Sequence, residues 1–463
     1  MLTFTQAIVS GILLWLGFAP AEFWFAPYFG LALLYHLLAG KNLQQRFYLA
    51  FLSGFTFFLL LLHWSSIYVG AAPWLILALG QAALFTLVGL LPVRLNVTGA
   101  ITFATSFVLI ELCRMKFPFG GFGWGRVGFT QIDITPKLYS WIGVTGVSLV
   151  IALSGLAIIG LRSRLVFLFF IFCGFVVPAF SLHSVSQIKI AAVQGGVDVL
   201  GLDFNNRALS VLNRHIAVTR NLTNVDLIVW PENASDVDPI KNQTAQRAIL
   251  SLLKDVQIPL VIGAVESSNS GPLNSSIFYN KDGVITTRYV KQDLAPFGEY
   301  IPVRKFSERV SNYAREVRDF QPGKTWVRHV IGGIPFQSII CFEVLDDDHI
   351  RAGAMGTGFL VAQTNNATFG TSAEAAQQLQ LTRARAAELG RDITVVSTTG
   401  FSAYIDSSGK IREKAPQFES LALKMSINAV DPKDQTPASK IPSGFWFGFL
   451  ALVAVLTLWV NRR

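Results

Sequence analysis

Residues 225–232 read VDLIVWPE, a short apolar run that ends abruptly in the polar Glu232. A run of this length that is rich in β-branched residues is typical of a buried β-strand. In open α/β sheets, functional groups emerge at the carboxyl ends of the strands, which is where Glu232 lies. Taken alone, Glu232 also fits a helix N-cap or a solvated loop acid. The segment therefore predicts a strand, and it makes Glu232 a candidate functional residue.

The residues around this strand alternate between short β-rich runs and helical stretches. Strands are predicted at 188–194, 225–230, 260–264, 338–340 and 358–363, and helices at 205–221, near 243–255 and at 373–389. Hairpins are predicted across 276–290, with Asp282-Gly283 in the turn, and around 406–409. This alternation predicts an α/β layered domain over 188–430, followed by a linker at 431–442.

The composition separates this domain from the rest of the chain. Of the 463 residues, 52% are hydrophobic and only 14% are charged, against about 25% charged in an average soluble domain. Residues 1–181 carry a net charge of +6, and residues 182–461 only +1. The basic residues thus belong to membrane-flanking positions, which argues against a nucleic-acid partner. The three cysteines are too few for a disulfide framework in the polar part or for a cysteine-rich metal site.

Eight apolar stretches are long enough to cross a hydrocarbon core about 30 Å thick. They lie at 2–19, 23–39, 47–69, 72–92, 98–115, 138–160, 165–181 and 443–460. Lys and Arg concentrate in the connections that are cytoplasmic if both termini are cytoplasmic, and the connection 116–137 is the exception. We therefore predict a membrane domain of seven helices at 1–181, an extracytoplasmic α/β domain, and an eighth helix with a cytoplasmic tail at 443–463.

The connection 116–137 alternates glycines with aromatic rings. Two interpretations stay open: an interfacial loop whose rings lie at headgroup level, or one wall of a lipid entrance beneath the external domain. The residues that would form the entrance are Phe117, Phe119, Phe122 and Trp124. Near the end of the preceding span, Glu111 and Arg114 are three residues apart and are predicted to form an interfacial ion pair.

Two further polar positions follow strands in the external domain. Lys291 comes directly after the first hairpin, and Cys341 comes directly after the strand 338–340. A lone lysine there is normally a surface residue, and a lone cysteine in apolar sequence is normally a small core residue. The interpretation changes only when Glu232, Lys291 and Cys341 are considered together.

In this order and with these neighbours, the three residues resemble the catalytic residues of the nitrilase (carbon–nitrogen hydrolase) superfamily, over 188–430. Because seven apolar spans precede the domain and one follows it, the whole chain resembles the apolipoprotein N-acyltransferases, a membrane-embedded family of that superfamily. The motifs that carry the resemblance are Val193-Gln194-Gly195, Trp230-Pro231-Glu232, Pro296-Phe297-Gly298-Glu299 and the QTNNA of residues 363–367.

The resemblance implies an αββα sandwich and an acyltransferase activity. Members of the family move a fatty acyl chain from a phospholipid to the N-terminal amine of a diacylglyceryl-cysteine apolipoprotein, the last step of bacterial lipoprotein maturation. It further implies a multi-pass protein of the bacterial cytoplasmic membrane whose partners are the phospholipid donor and the apolipoprotein acceptor. We expect a monomer that uses neither a cofactor nor a metal.

The resemblance also implies a role for each residue. Cys341 is the nucleophile that forms a thioester, and Glu232 is the general base. Lys291 favours the thiolate and, with a backbone N–H near Phe342, stabilises the oxyanion. Glu299 and Glu343 are expected to orient Lys291 or Glu232.

The sequence departs from the family pattern at two places. Phe342 stands where many members have a tyrosine, so a hydroxyl is not required at that point. A tryptophan often found some thirty residues before the glutamate has no counterpart among residues 201–204. The sequence therefore does not predict that substrate contact of the family.

Two other functions remain open from the sequence. A membrane-tethered amidase of the nitrilase type would use the same three residues, with water replacing the amine as the acceptor. A non-enzymatic transporter or scaffold with a degenerate external domain is disfavoured, because all three catalytic-type residues are present and the predicted spans show no pathway of buried charges.

Overall fold

The computed structural model describes residues 2–67, 70–197, 208–310, 315 and 317–462. The chain forms two compact units, one of Met1–Phe180 with Thr436–Arg463 and one of Ser181–Gln435. The position at 201–204, where the family tryptophan has no counterpart, lies outside the described residues.

The first unit is helical. In the described part of the chain its helices are α1 (Leu2–Leu16), α2 (Ala26–Leu38), α3 (Leu43–Leu61), α4 (Ala71–Phe85), α5 (Val97–Lys116), α6 (Pro136–Ala152), α7 (Leu161–Val176) and a C-terminal helix (Ser443–Arg462). Asparagine side chains cap α3 and α5: Asn42 accepts a hydrogen bond from the Gln45 N–H at 2.9 Å, and Asn96 accepts one from the Gly99 N–H at 2.8 Å. Such caps satisfy amides that the first helical turn leaves without partners.

The helices of this unit differ in their capacity to span a bilayer. Among the described residues, four helices are long and apolar enough, namely Ala71–Gly89, Val97–Lys116, Pro136–Ile158 and Ser443–Val460. Leu2–Leu16 and Ala26–Leu38 are shorter apolar helices. These helices fit a membrane protein, and the number of eight spans stays a prediction.

Three charged side chains, Glu111, Arg114 and Arg126, are buried near the end of α5, with exposed fractions of 3%, 1% and 0%. Arg114 Nε donates to the side-chain oxygen of Gln81 at 2.7 Å, and the Glu111 carboxylate accepts the Val127 N–H at 2.7 Å. Glu111 and Arg114 are thus buried within the protein, where hydrogen bonds from protein groups offset part of the cost of burial, and their interfacial ion pair stays a prediction.

The aromatic residues of the connection 116–137 divide into two groups. Phe117 and Phe119 are 67% and 48% exposed. Trp124 is buried, and its ring centroid lies 5.1 Å from that of Trp64 and 6.3 Å from that of Phe122. Trp124 therefore belongs to the packing of the unit. An entrance for lipid at this connection stays a prediction, with Phe117 and Phe119 as its exposed rings.

The second unit is built of strands and helices in alternation. Its described strands are β1 (Ser184–Gln194), β2 (Leu227–Val229), β3 (Leu260–Ser268), β4 (Gly271–Tyr279), β5 (Ile285–Val290), β6 (His329–Ile331), β7 (Ile334–Ile340), β8 (Phe359–Thr364), β9 (Ile393–Ser397), β10 (Ala403–Ile405), β11 (Ile411–Lys414) and β12 (Leu421–Val430). Its described helices are α8 (Ser210–Thr219), α9 (Gln243–Val256), α10 (Arg304–Val310), α11 (Asp347–Ala354) and α12 (Glu374–Leu389).

The strands described in this unit form two six-stranded sheets, with the orders β12-β1-β2-β3-β4-β5 and β11-β10-β9-β8-β7-β6. Successive residues of β1 alternate between two cores, as the strand period of two requires. Ile190 packs with Phe336 and Val361 of the other sheet, whereas Ala191 packs with Leu212 of α8 and Leu252 of α9. A third core lies between the second sheet and the helices α11 and α12. The predicted nitrilase-like sheet domain is confirmed.

Three strands, β6, β9 and β12, are absent from the sequence prediction. β12 is the most consequential of them, because it pairs antiparallel with β1 from Gln194 opposite Leu421 to Ser184 opposite Val430. These partners lie more than 200 positions apart, and no local pattern reports such a pairing. The helix predicted at 205–221 is described as α8, while residues 205–207 lie outside the described part.

Candidate active site

Glu232 lies just beyond the carboxyl end of β2, which runs parallel to β1 and β3. The neighbouring backbone is tightly held, since Gln363 Nε2 donates to the Trp230 carbonyl at 2.7 Å. A Cβ at Gly263 would lie 2.2 Å from the Pro231 carbonyl oxygen. The backbone of β3 therefore passes so close to the end of β2 that only glycine fits at position 263. The side chain of Glu232 is buried at this point.

Lys291 follows β5, and its ammonium group is buried between two carboxylates. Its Nζ lies 2.8 Å from Glu299 Oε2 and 3.4 Å from Glu232 Oε1. The Lys291 N–H donates to the Asn274 carbonyl at 2.8 Å, and the Lys291 carbonyl accepts the Gly323 N–H at 2.7 Å. These two hydrogen bonds thus fix the backbone of Lys291, from which the side chain with its ammonium group extends.

Asn274 of β4 links the two carboxylates. Its Nδ2 donates to Glu232 Oε1 and to Glu299 Oε1, both at 2.7 Å. One amide group uses both of its protons to hold two like charges beside Lys291. Sequence analysis missed Asn274, because a single polar residue within a strand carries no signal of its function.

Burial and neighbouring charges shift the pKa values of this cluster. Burial alone lowers the pKa of Lys291, but the carboxylates of Glu299 and Glu232 more than reverse this, so the pKa is raised. Burial raises the pKa of Glu232, and Lys291 offsets part of that increase. Lys291 therefore stays a cation, while Glu232 accepts a proton more readily than an exposed glutamate does.

Cys341 follows the end of β7 with a backbone φ of 50°. A positive φ is uncommon for a residue with a Cβ, and such strained positions cluster at functional sites. Glu343 stabilises this turn: its Oε2 accepts the Ile340 N–H at 2.8 Å, and its Oε1 accepts the Gln292 N–H at 2.8 Å. One buried carboxylate thus ties the Cys341 turn to the segment that follows Lys291.

The two supporting glutamates therefore make different contacts. Glu299 contacts the Lys291 ammonium directly and shares Asn274 with Glu232. Glu343 instead contacts the backbone N–H groups described above and the side chains of Tyr289 and His349. Burial acts to raise the pKa of Glu343, but the hydrogen bond and charge of His349 outweigh it, so the pKa is lowered and Glu343 stays an anion.

The sulfur of Cys341 is a thiol at rest. Burial raises the pKa of the Cys341 thiol, Glu232 raises it further, and Lys291 opposes both. Desolvation of the sulfur outweighs the effect of the cation on its pKa, so a nucleophilic role for this sulfur would require a base that takes its proton. Gln378 of α12, which sequence analysis missed, places its Nε2 3.5 Å from the sulfur.

The arrangement suits covalent acyl chemistry. It combines a partly exposed thiol, a carboxylate with a raised pKa and a permanent cation. Within the described ranges, no group of three or more His, Cys, Asp and Glu side chains is arranged to hold a metal ion.

Comparisons with known proteins extend over both units. The model of the apolipoprotein N-acyltransferase N-terminal domain matches residues 10–157, and the model of the carbon–nitrogen hydrolase family matches residues 189–438. A CN-hydrolase superfamily protein of known structure from Xanthomonas campestris is 16% identical, with a TM-score of 0.39, over 52% of this chain and 91% of that chain.

Two similar relatives match along nearly the whole chain. The apolipoprotein N-acyltransferase of Mycolicibacterium smegmatis is 33% identical over 94% of this chain and 81% of that protein. The apolipoprotein N-acyltransferase of Haemophilus influenzae is 27% identical over 94% of this chain and 91% of that protein. The second unit of the chain is a carbon–nitrogen hydrolase domain, and the chain as a whole therefore belongs to the apolipoprotein N-acyltransferase family.

Proposed function

We propose that this protein transfers a fatty acyl chain from a phospholipid to the N-terminal amine of a diacylglyceryl-cysteine apolipoprotein, through a thioester on Cys341. Membership in the family supports the reaction. The observation that carries the assignment of residues is a partly exposed thiol in a strained turn, within electrostatic range of Glu232 and Lys291.

In the first half-reaction, Glu232 takes the thiol proton as the sulfur attacks the ester carbonyl of the phospholipid. Negative charge develops on the carbonyl oxygen, where Lys291 and a backbone N–H near Phe342 stabilise it, each donor contributing about 3 kcal/mol. The carbon–sulfur bond forms, the carbon–oxygen bond breaks, and the proton held by Glu232 passes to the departing lysophospholipid.

In the second half-reaction, the amine of the apolipoprotein attacks the thioester. Glu232 accepts a proton from the nitrogen, the amide forms, and the sulfur leaves and recovers a proton as the thiol. Because lysophospholipid departs before the acceptor binds, the kinetics are ping-pong. Glu299 and Asn274 hold Lys291 and Glu232 in place through both steps.

The proposal includes a location for these steps. Eight membrane spans with both termini cytoplasmic place the carbon–nitrogen hydrolase domain on the outer side of the bacterial cytoplasmic membrane. The bias of Lys and Arg toward the connections on one side supports this orientation, and outer-leaflet phospholipid is then the nearest acyl donor. We propose that the protein acts as a monomer.

Mass spectrometry of the purified full-length protein mixed with phospholipid alone tests the proposal. We expect one acyl group on the peptide that contains Cys341, and its loss when an amine-bearing lipopeptide is added. Cys341→Ala must remove the acyl group, while Cys113→Ala, a matched loss of a thiol in α5, must retain it.

Two results would overturn the proposal. Acylation of the Cys341→Ala protein would exclude this sulfur as the nucleophile. Rapid release of free fatty acid without an amine acceptor would instead favour the amidase-like alternative, in which water is the acceptor.

A further inference from the structure

A set of buried polar side chains lies behind the sulfur of Cys341, and no step of the proposed reaction uses it. Its members, which we call the amide relay, are Glu374 and Gln378 of α12 and Asn366, which follows β8. All three are at most 4% exposed. Burying polar groups without partners is costly, so the hydrogen bonds among them decide their orientation.

The orientation of Asn366 is fixed from two sides. Its Oδ1 accepts the hydroxyls of Thr364 at 3.1 Å and Ser397 at 2.5 Å. In this arrangement the amide oxygen faces the two hydroxyls and the amide nitrogen faces Glu374 and Gln378. Asn366 Nδ2 then donates one proton to Glu374 Oε2 at 2.6 Å and the other to Gln378 Oε1 at 3.0 Å.

This arrangement in turn fixes Gln378. Since its Oε1 is held by Asn366, its Nε2 must point the other way, and it lies 3.5 Å from the Cys341 sulfur. An N–H group at this distance donates a hydrogen bond to the sulfur, and such a bond is stronger when the acceptor is charged. It therefore favours the thiolate over the thiol.

We propose that Gln378 donates a hydrogen bond to the Cys341 sulfur as the thiolate forms and leaves, and that Glu374 is the positioning residue that holds this donor in place through Asn366. The proposal rests on Cys341 being the nucleophile of the proposed function. Gln378 contacts the reacting atom, whereas Glu374 acts on it only through the relay and through its charge.

The charge of Glu374 gives the relay a pH dependence. Burial raises the pKa of Glu374 to about 8, the hydrogen bond from Asn366 lowers it, and Glu232 raises it. In the described part of the chain, Glu374 interacts electrostatically with two titratable groups, Glu232 and Cys341. Below about pH 8 the acid is neutral and does not oppose the thiolate. Above it, the added negative charge raises the pKa of the thiol.

The rate at which iodoacetamide alkylates Cys341 in the full-length protein tests this inference, followed by mass spectrometry of the peptide from pH 6 to pH 10. Gln378→Met removes the donor and Glu374→Ala removes the acceptor that holds Asn366, so each should lower the rate at neutral pH about tenfold, as expected for one hydrogen bond to a charged group. Gln380→Met, a matched loss of a buried amide two positions away on α12, should stay within about twofold of the unmodified protein.

The variant Glu374→Gln distinguishes a role of Glu374 in positioning Asn366 from a general effect of the substitution on packing. The glutamine retains an oxygen that accepts from Asn366 but does not titrate, so the rate at neutral pH should be kept. Above pH 8 the alkylation rate of Glu374→Gln should continue to rise with pH. The rate of the unmodified protein should rise less steeply, because the charge of ionised Glu374 raises the pKa of the thiol.

The inference is overturned if Gln378→Met and Glu374→Ala, shown to be folded by thermal unfolding, react at the unmodified rate. It is equally overturned if Glu374→Gln is as slow as Glu374→Ala at neutral pH. Alkylation requires no acyl transfer, so failure of the proposed function would show as a missing acyl adduct and would leave these rates unaffected.

Discussion

Two clusters of buried charged side chains in the second unit are alike in burial and different in charge balance. The site cluster contains one cation and two carboxylates, namely Lys291, Glu232 and Glu299. The arginine cluster contains two cations and two carboxylates, namely Asp347, Arg351, Arg385 and Glu388. The side chains of both clusters are at least about nine-tenths buried.

The arginine cluster is organised for rigidity. Arg385 lies 2.8 Å from Asp347 Oδ1 and 2.6 Å from Glu388 Oε2. It also donates to the carbonyls of Val344 at 2.9 Å and Leu345 at 3.0 Å, in the turn that begins with Cys341. A planar guanidinium with several fixed partners holds the backbone in place.

The site cluster has a different charge balance. With one cation for two carboxylates, the negative charge is in excess. Burial first and the charge of Glu299 further raise the pKa of Glu232, while Lys291 lowers it. Charge balance, rather than burial, therefore distinguishes the cluster that we propose to be reactive from the arginine cluster in this domain.

The largest expected change in rate follows Lys291→Met. The oxyanion loses its cation and the two carboxylates lose theirs, so formation of the acyl-enzyme should fall by about 10²- to 10³-fold. Rapid-quench measurement of the acylated Cys341 peptide gives this rate. Lys281→Met, in the exposed turn of the β4–β5 hairpin, is the control. Acylation within a factor of ten of the unmodified rate would remove Lys291 from the mechanism.

Gly263→Ala tests the position of Glu232 in the site cluster, because it displaces this residue without changing any charge. The new Cβ would lie 2.2 Å from the Pro231 carbonyl oxygen and 2.7 Å from Glu232 Cα. A displacement of the general base by about 1 Å should lower the acylation rate by about 10²-fold. Gly444→Ala, where nothing lies within 4 Å, is the matched control. An unchanged rate would mean that the position of Glu232 does not limit the reaction.

Arg385→Met should change the acylation rate per folded molecule least and stability most. Removing one partner of a buried ion network leaves Asp347 and Glu388 without compensation and typically costs about 3–5 kcal/mol. Denaturant unfolding of the purified protein, followed by tryptophan fluorescence, measures this loss. Arg383→Met on the same helix is the control. If stability is kept while acylation is lost, the distinction between the two clusters fails.

The sequence predicts the parts of the site that lie at strand ends. Glu232, Lys291 and Cys341 each follow a run whose apolar pattern marks a strand, and their order carries the family resemblance. Their partners are not predictable in this way, because Asn274 and Gln378 lie inside a strand and a helix where polar residues are common. Only the pairing of distant elements brings these amides to the carboxylates and to the sulfur.

The sequence by itself determined the division into an apolar helical part and an α/β domain, since the length and period of apolar runs are local properties of the chain. It also determined which residues stand at the strand ends. Only the tertiary structure decided that β12 completes the first sheet beside β1, that Glu111 and Arg114 are buried, and that the sulfur of Cys341 rests as a thiol. The physical reason is that hydrogen bonding, desolvation and charge balance depend on groups that are far apart along the chain and close together in the fold.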